Sequence, residues 1–221
     1  MLQVNELIGF GVSENSVAIS LSQVAFGGIL NDVLVAPGSI QAGDLLVFHE
    51  QAGNGTSSIP TASVPSGFSI ICNNSVVVAG SAGLRGVLSF KIADGSEASS
   101  SLSAMSGNAF ETRAILVFRS DLGMLSATTA SANGEATDGN PSSQTITASG
   151  GVSPLVVVSI YCSDSSINPR TMTPEKDGEA SIGSIVYVAW KIYNSEPQDV
   201  SVDMDDEGFG NILQSCYIEI S

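Results

Sequence analysis

Apolar and polar residues alternate in short runs along most of this chain, and two of these runs match each other. The first covers residues 84–105 and the second, one hundred residues later, covers residues 185–204. The alternating apolar residues are Leu88, Phe90 and Ile92 in the first run and Val188, Trp190 and Ile192 in the second. A period of two is typical of a half-buried strand. We therefore predict one strand hairpin used twice, with Phe90 and Trp190 as matching core anchors and with a lysine, Lys91 or Lys191, facing away from the core.

Two other runs are apolar at consecutive positions rather than at alternate ones. They are residues 45–49 and residues 155–162, and such runs are typical of strands in the middle of a sheet that is covered on both faces. Altogether the pattern indicates roughly twelve short strands separated by turn signals, with no long amphipathic helix. The sequence therefore predicts an all-β protein.

The repeat also bears on how the strands are arranged. Each copy supplies roughly five or six strands, one of them buried on both faces, and half a chain would struggle to cover such a strand alone. We therefore predict a single two-sheet antiparallel β-sandwich of jelly-roll type over residues 17–221. Its pseudo-repeated halves are residues 17–120 and 143–221, the polar segment 121–142 joins them, and residues 1–16 form an arm or first strand. Two small tandem sandwiches remain the alternative.

The charge of the chain limits the partners that it can bind. Acidic residues outnumber basic ones by 22 to 7, and the net charge is −15. Nucleic-acid backbones and anionic membrane surfaces both attract clustered Lys and Arg, so neither is an expected partner. An acidic chain is better suited to solubility at high concentration or to docking on a basic surface. Because there is neither a signal-peptide pattern nor an apolar run of membrane-spanning length, we expect a soluble protein that matures in a reducing cytoplasm.

Few residues have the spacing that metal or thiol chemistry requires. The three cysteines, Cys72, Cys162 and Cys216, lie in apolar runs and are expected in the core. One acidic cluster could supply oxygen ligands to calcium, and its members are Asp203, Asp205, Asp206 and Glu207. The cluster does not match the spacing of an EF-hand loop, so a solvated turn is the preferred interpretation. We predict no cofactor and no established metal site.

Catalytic roles can be imagined for a few titratable residues, but simpler interpretations are available. His49, the single histidine, ends a buried strand beside Glu50 and could form a dyad with it. Glu97 and Glu196 could act as paired carboxylates, although both follow hairpin turns whose chemistry already accounts for them. No nucleophile motif accompanies any of these residues. We therefore predict that the protein is not an enzyme.

Four segments of the first half resemble a known family. Residues 40–47, 64–71, 90–97 and 113–119 read IQAGDLLV, VPSGFSII, FKIADGSE and RAILVFR. In this order they resemble phage-encoded β-sandwich proteins whose members read approximately QAGDLLV, PSGW, YKVADGSE and ALVYRG. The resemblance covers residues 17–120 and, more faintly, 150–221, with Phe68 where Trp is usual and Ser120 in place of a turn glycine. The family occurs among decoration, head-fibre and tail-associated proteins of tailed phages, and it implies no catalytic residues.

The resemblance and the composition together lead to one expected function and one rival. We expect a non-enzymatic virion protein, a capsid decoration or head-fibre protein that forms a homotrimer or another homo-oligomer and binds other virion proteins. Residues 1–12 are the expected tether, through the apolar side chains of Leu2, Val4, Leu7, Ile8 and Phe10. The rival is a tail-tip or tail-fibre module that binds host glycans through its loops, since sandwich loops commonly carry recognition.

Overall fold

The computed structural model describes residues 18–27, 33–78, 82–102, 105, 110–124, 126–139, 143–147, 155–162, 171–183, 186–193, 198–203 and 210–220. Every regular element within these ranges is a β-strand, which confirms the all-β prediction. The strands are β1 (Ile19–Gly27), β2 (Leu34–Val35), β3 (Leu45–Asn54), β4 (Ser69–Val78), β5 (Ala82–Ile92), β6 (Ser101–Leu102), β7 (Phe110–Ser120), β8 (Ala127–Thr137), β9 (Gln144–Ile146), β10 (Leu155–Cys162), β11 (Thr171–Thr173), β12 (Gly178–Ile182), β13 (Val186–Tyr193), β14 (Val200–Asp203) and β15 (Asn211–Ile220). Within the same ranges no helix has the length and hydropathy needed to cross a membrane.

The described strands form four antiparallel sheets, whereas the sequence predicts two. One large sheet has the order β1-β7-β3-β5-β4 and the other has the order β12-β13-β10-β15-β8. Two small sheets, β2-β6 and β11-β14-β9, complete the set. Each large sheet is therefore built from one part of the chain, residues 19–120 or residues 127–220, and no described strand of one part lies in the large sheet of the other.

Strand register shows that the two large sheets are built alike. In the first, Leu46 lies opposite Lys91 on β5 and opposite Val117 on β7. In the second, Val157 lies opposite Lys191 on β13 and opposite Tyr217 on β15. The two lysines of the sequence repeat thus occupy the same place in their sheets. Reading outwards from them, β3 corresponds to β10, β5 to β13, β7 to β15, β4 to β12 and β1 to β8.

Apolar side chains of both large sheets meet in one cluster, which we call the central core. Its buried members are Ile19, Leu45, Val47, Cys72, Leu88, Ala114, Leu116, Phe118 and Met124 from the first half and Val156, Val158, Ile160, Val186, Val188, Cys216, Ile218 and Ile220 from the second. The opposite face of the first large sheet packs under β2 and β6 in a first outer core that contains Leu46 and Phe48. A second outer core under β9, β11 and β14 contains Leu213 and Tyr217. Because both faces of each large sheet are covered, β3 and β10 are apolar at consecutive positions.

The polar segment 121–142, expected to join the halves, contains the strand β8. This strand pairs along its whole length with β15 and is an edge of the second large sheet. Its backbone also lies close to β4, because a Cβ added to Gly134 would stand 2.3 Å from the Asn74 side chain. An edge strand that is partly solvated needs few apolar residues, so its Ser, Thr and Ala content hid it from the hydrophobic pattern.

Candidate functional site

The four segments that carry the family resemblance come together at one end of the first half. The Gly43 amide donates to the Ala93 carbonyl at 2.9 Å, and the Ala93 amide donates to the Asp44 carbonyl at 2.8 Å. Gly43 and Gly95 have φ of 86° and 94°, a conformation that glycine adopts without a steric penalty. These turn residues therefore serve to connect strands, and their backbone amides and carbonyls form the hydrogen bonds that hold the turns together.

Asp44 and Arg119 form the ion pair at the centre of this end. The Arg119 guanidinium donates to both carboxylate oxygens of Asp44, at 2.7 and 2.6 Å. The backbone amide of Gln41 donates to the same carboxylate at 2.8 Å. The hydrogen bond to Asp44 raises the pKa of Arg119. A bidentate pair of this kind fixes the turn before β3 against the end of β7.

Lys91, on the neighbouring strand β5, forms a second group of ion pairs at this end. Its ammonium lies 2.9 Å from the Asp94 carboxylate and also pairs with buried Glu97. The Glu97 hydrogen bond is the main reason that the pKa of Lys91 is raised. Hydrogen bonds from Ser96 and then from Lys91 lower the pKa of Asp94. Glu97 also accepts a hydrogen bond from the backbone amide of Gly95 at 3.1 Å, so it stabilises the turn. Glu196, its counterpart in the sequence repeat, lies outside the described residues.

The corresponding lysine of the second half holds a different loop. Lys191 donates to the Asp177 carboxylate at 3.0 Å and to the Glu175 carbonyl at 2.7 Å. Its ammonium also lies 5.5 Å from the centre of the Tyr193 ring. The two lysines therefore occupy the same place in their sheets but have different partners. This is expected of residues that stabilise the fold, and not of a binding site that is repeated.

His49 is buried between the two large sheets. Its exposed fraction is 0%, and the loss of solvent lowers its pKa to about 3, against an opposing hydrogen bond with Gln214. Gln214 donates to Asn74 at 2.7 Å and to the Gly86 carbonyl at 3.1 Å. We call His49, Asn74, Gly86 and Gln214 the interface cluster. It joins strands of both halves across the central core.

Glu50, the neighbour of His49, points to the opposite face of β3 and takes part in a buried ion trio. Arg113 donates to Glu50 at 2.8 Å and to Glu111 at 2.5 Å, and the Met105 amide donates to Glu50 at 3.0 Å. All three charged side chains are at least nine-tenths buried. A His49–Glu50 dyad is therefore not formed, because consecutive residues of a strand face opposite sides.

The thiols that the structure describes are core groups. Cys72 and Cys216 are free and buried in the central core. Burial raises the pKa of Cys72 to about 11 and raises the pKa of Cys216 as well. Since the thiolate is the reactive form of cysteine, neither environment favours a nucleophile.

The large aromatic residues of the second half are packed against core clusters. Tyr187, Tyr193 and Tyr217 lie in the second outer core. Trp190, like Phe90 in the first half, is half-buried and packs against the central core. None of these five rings forms an exposed platform of the kind on which a sugar would stack.

Most of the acidic cluster and all of the named arm residues lie outside the described part of the chain. Asp203 is exposed at the end of β14, whereas Asp205, Asp206 and Glu207 lie outside the described residues. The arm residues Leu2, Val4, Leu7, Ile8 and Phe10 also lie outside them. Among the residues that are described, no group of three or more His, Cys, Asp or Glu side chains is arranged to hold a metal ion.

A different candidate surface is visible on the first large sheet. Six large apolar side chains are exposed in the described part of the chain, and they are Val33, Val35, Ile59, Ile70, Val77 and Leu122. Ile70 and Val77 both belong to β4, which ends this sheet. The sequence shows the apolar residues of β4 but not that the strand lies at an edge, because its position depends on pairing with β5.

No family model, no curated protein and no solved structure matches the chain.

Proposed function

We propose that the chain is a structural protein of a tailed-phage virion, most specifically a capsid decoration or head-fibre protein on the particle exterior. The observation that carries the proposal is that three of the four family-like segments, residues 40–47, 90–97 and 113–119, supply the Asp44–Arg119 and Lys91–Glu97 ion pairs at one end of the first half. Those segments specify turns and strand ends. The resemblance is therefore one of architecture, as between proteins that serve as building units of a particle.

We propose further that the chain is a single sandwich in which the two large sheets pack face to face through the central core, with a jelly-roll-like strand order in each half. The support is the order of the strands. In the first half the chain leaves the large sheet for the small one at β2 and again at β6, and it returns each time. In the second half β9 and β14 do the same, with β11 added. Exchange of strands between two sheets is a feature of double-sheet jelly rolls and supports the likeness.

The proposed role is one of binding without catalysis. His49 is enclosed in the interface cluster, Glu50 is paired with Arg113, and Glu97 is paired with Lys91. Groups engaged in this way stabilise a fold and are poorly placed to exchange protons with a substrate. The partners that we propose are other virion proteins that present basic surfaces to a chain of net charge −15. Residues 1–12 remain the proposed tether, and a homotrimer or another homo-oligomer the proposed state.

Labelling of particles tests this function. Virions of the phage that encodes the chain should contain it by mass spectrometry, and antibodies against the purified protein should decorate the head in electron micrographs. Deletion of residues 1–12 should reduce incorporation. A chain absent from purified virions, or incorporated equally well without those residues, would contradict the proposal or its tether respectively.

A glycan array distinguishes the rival function, a tail-tip module that recognises host glycans. A blank array together with binding to undecorated capsids supports the structural role. Specific glycan binding that is abolished by substitutions in residues 53–63 or 164–180 would favour the recognition module. The burial of Tyr187 and Tyr193 supports the first outcome.

A further inference from the structure

Strand β4 is an unusual edge for so acidic a protein. It pairs with β5 on one side, and no strand of the described chain is hydrogen-bonded as a ladder to its other side, although the backbone of β8 lies against the Asn74 side chain. Its ten residues, Ser69–Val78, contain neither charge nor proline. Edge strands are commonly protected from pairing with other chains by charged residues, proline or shortness. The corresponding edge strand β12 has five residues and carries exposed Glu179, which is paired with Lys176.

The side chains of Ile70 and Val77, the two exposed apolar residues of β4, project from the same face of the sheet. Ile70 lies opposite Ser89 and Val77 lies opposite Gly83, two positions on β5 that are separated by an even number of residues. On β4 itself they are an odd number apart, because a bulge between Ile70 and Cys72 adds one residue. Their exposed fractions are 48% and 44%, so both are available to a partner on the outer side of the edge.

We propose that β4 is a homotypic interface at which a second copy of this chain adds its own β4, antiparallel, about a two-fold axis at Asn74. In this register Asn73 lies opposite Ser75 of the second copy, and Cys72 lies opposite Val76. With the bulged residue Ile71 skipped on each strand, Ile70 falls opposite Val77 of the second copy. Every such pair joins residues of the same face, and the exposed apolar contact is made twice.

The register favours a second copy over an unrelated partner because the strand is complementary to itself. An isologous interface requires that the same patch serve both molecules, and Ile70 and Val77 stand at equal distances from the axis in this pairing. Two chains that each carry a charge of −15 repel one another, and the repulsion is weakest along a strip that has no charged side chains of its own. The uncharged β4 supplies such a strip and would join the two large sheets into one continuous sheet.

This inference gives a surface to the homo-oligomer of the proposed function, and it can fail separately. A chain that is found on virions but is monomeric in solution would keep the virion role and overturn the β4 interface. A chain that dimerises through β4 but is absent from virions would support the β4 interface and overturn the virion role.

Charge exchange across the proposed axis tests the register. Ile70→Lys and Val77→Glu should each weaken dimerisation of the full chain roughly tenfold or more in sedimentation equilibrium, since each change acts at two symmetric places. The double variant I70K/V77E should recover dimerisation, because each new lysine then faces a new glutamate of the other copy. Leu122→Lys, at the most exposed large apolar residue of the described chain, is the matched control and should have no effect.

Folding is checked independently so that the result stays interpretable. Each variant should keep the circular dichroism spectrum of the parent, and in the parent the β4 amides should exchange hydrogen more slowly as protein concentration rises. A monomeric parent, an oligomer that is insensitive to both single changes, or a double variant as weak as the single ones would overturn the proposal.

Discussion

The ring of Trp190 lies across the backbone of Gly178, its neighbour on the paired strand β12. A Cβ added to Gly178 would stand 2.3 Å from Cζ2 of the ring, which is well inside van der Waals contact. At the corresponding place in the first half the pair is Phe90 with Ser69. The larger ring is thus combined with glycine and the smaller ring with serine, so a difference between the two repeats is explained by local volume.

Substitution of Gly178 tests this account. Gly178→Ala should lower the free energy of unfolding by about 1–3 kcal/mol, because the ring must leave its rotamer to admit the methyl group. Ser69→Ala, the matched change in the first half, should stay within about 0.5 kcal/mol. Urea denaturation measures both. In the background of Trp190→Phe the Gly178→Ala cost should shrink, and an unchanged cost would show that the ring is not its cause.

His49 should make the stability of the protein depend on pH in a window of its own. Its pKa is about 3 in the folded protein and ordinarily 6.5. The unfolded chain therefore gains a proton first as pH falls, so stability is complete above pH ~6.5 and declines from there towards pH ~3. Between pH 7 and pH 5 the expected loss is about 2 kcal/mol.

The variant His49→Gln isolates this effect, because His49 is the single histidine of the chain. Chemical denaturation at pH 7 and pH 5 should show that the decline is mostly absent in the variant, whatever its absolute stability. Carboxylates are the same in both proteins and cancel in the comparison. Equal declines in the two proteins would assign the pH dependence to other groups.

Strands that alternate or are apolar throughout could be predicted from the sequence, but their assignment to particular sheets could not. The periods of β5 and β13, and the continuous runs of β3 and β10, follow directly from which faces are buried. In contrast, β8 lacks an apolar stripe, so its place in the second large sheet is not visible in the sequence. Nor does the sequence show that the short strands form two small sheets, because sheet membership depends on pairing between distant segments.

The polar interior could be predicted even less. His49 is the single histidine of the sequence, but its hydrogen-bond partner Gln214 lies on a distant strand of the other half. Glu97 differs, because its partners Lys91 and Gly95 are close to it in the chain. Arg113 is the clearest case, since Glu50 lies 63 residues away and comes to face it only through the register of β3 and β7. No local pattern shows that an arginine in an apolar run will be buried.

The trio of Arg113, Glu50 and Glu111 offers a test of how the two halves are related. Strand register places Leu213, Tyr161 and Asn211 at the corresponding positions of the second half. Arg113→Met should cost about 3–5 kcal/mol, because two buried carboxylates lose their counter-charge. The exchange of all three for their second-half counterparts, E50Y/E111N/R113L, should recover much of this loss.

Denaturation curves with a surface control decide the outcome. Arg85→Met removes a hydrogen bond to Asn73 near the exposed edge and should cost about 1 kcal/mol or less. If Arg113→Met is no more costly than that control, the trio contributes little. If the triple variant is weaker than Arg113→Met alone, the second half is not a valid template for the first.

The central core decides whether the chain is one folding unit or two. Its buried side chains come from both large sheets, and Gln214 of one half donates to Asn74 of the other. A separated half would expose the whole apolar face of its large sheet, an area larger than soluble monomers usually leave in water. Each half nearly repeats the strand order of the other, and we therefore expect neither to fold without its counterpart.

Separate expression of residues 1–125 and 126–221 tests this interdependence. Each fragment alone should bind a hydrophobic dye strongly and unfold without a cooperative transition, since the central core supplies cooperativity only when both faces are present. Mixing the two should restore a cooperative transition, and Gln214→Leu should weaken the reassembled pair by removing the contact across the core. A fragment that unfolds cooperatively on its own would instead favour two tandem sandwiches. In that case the central core would be an interface between finished domains, and its burial would follow folding rather than drive it.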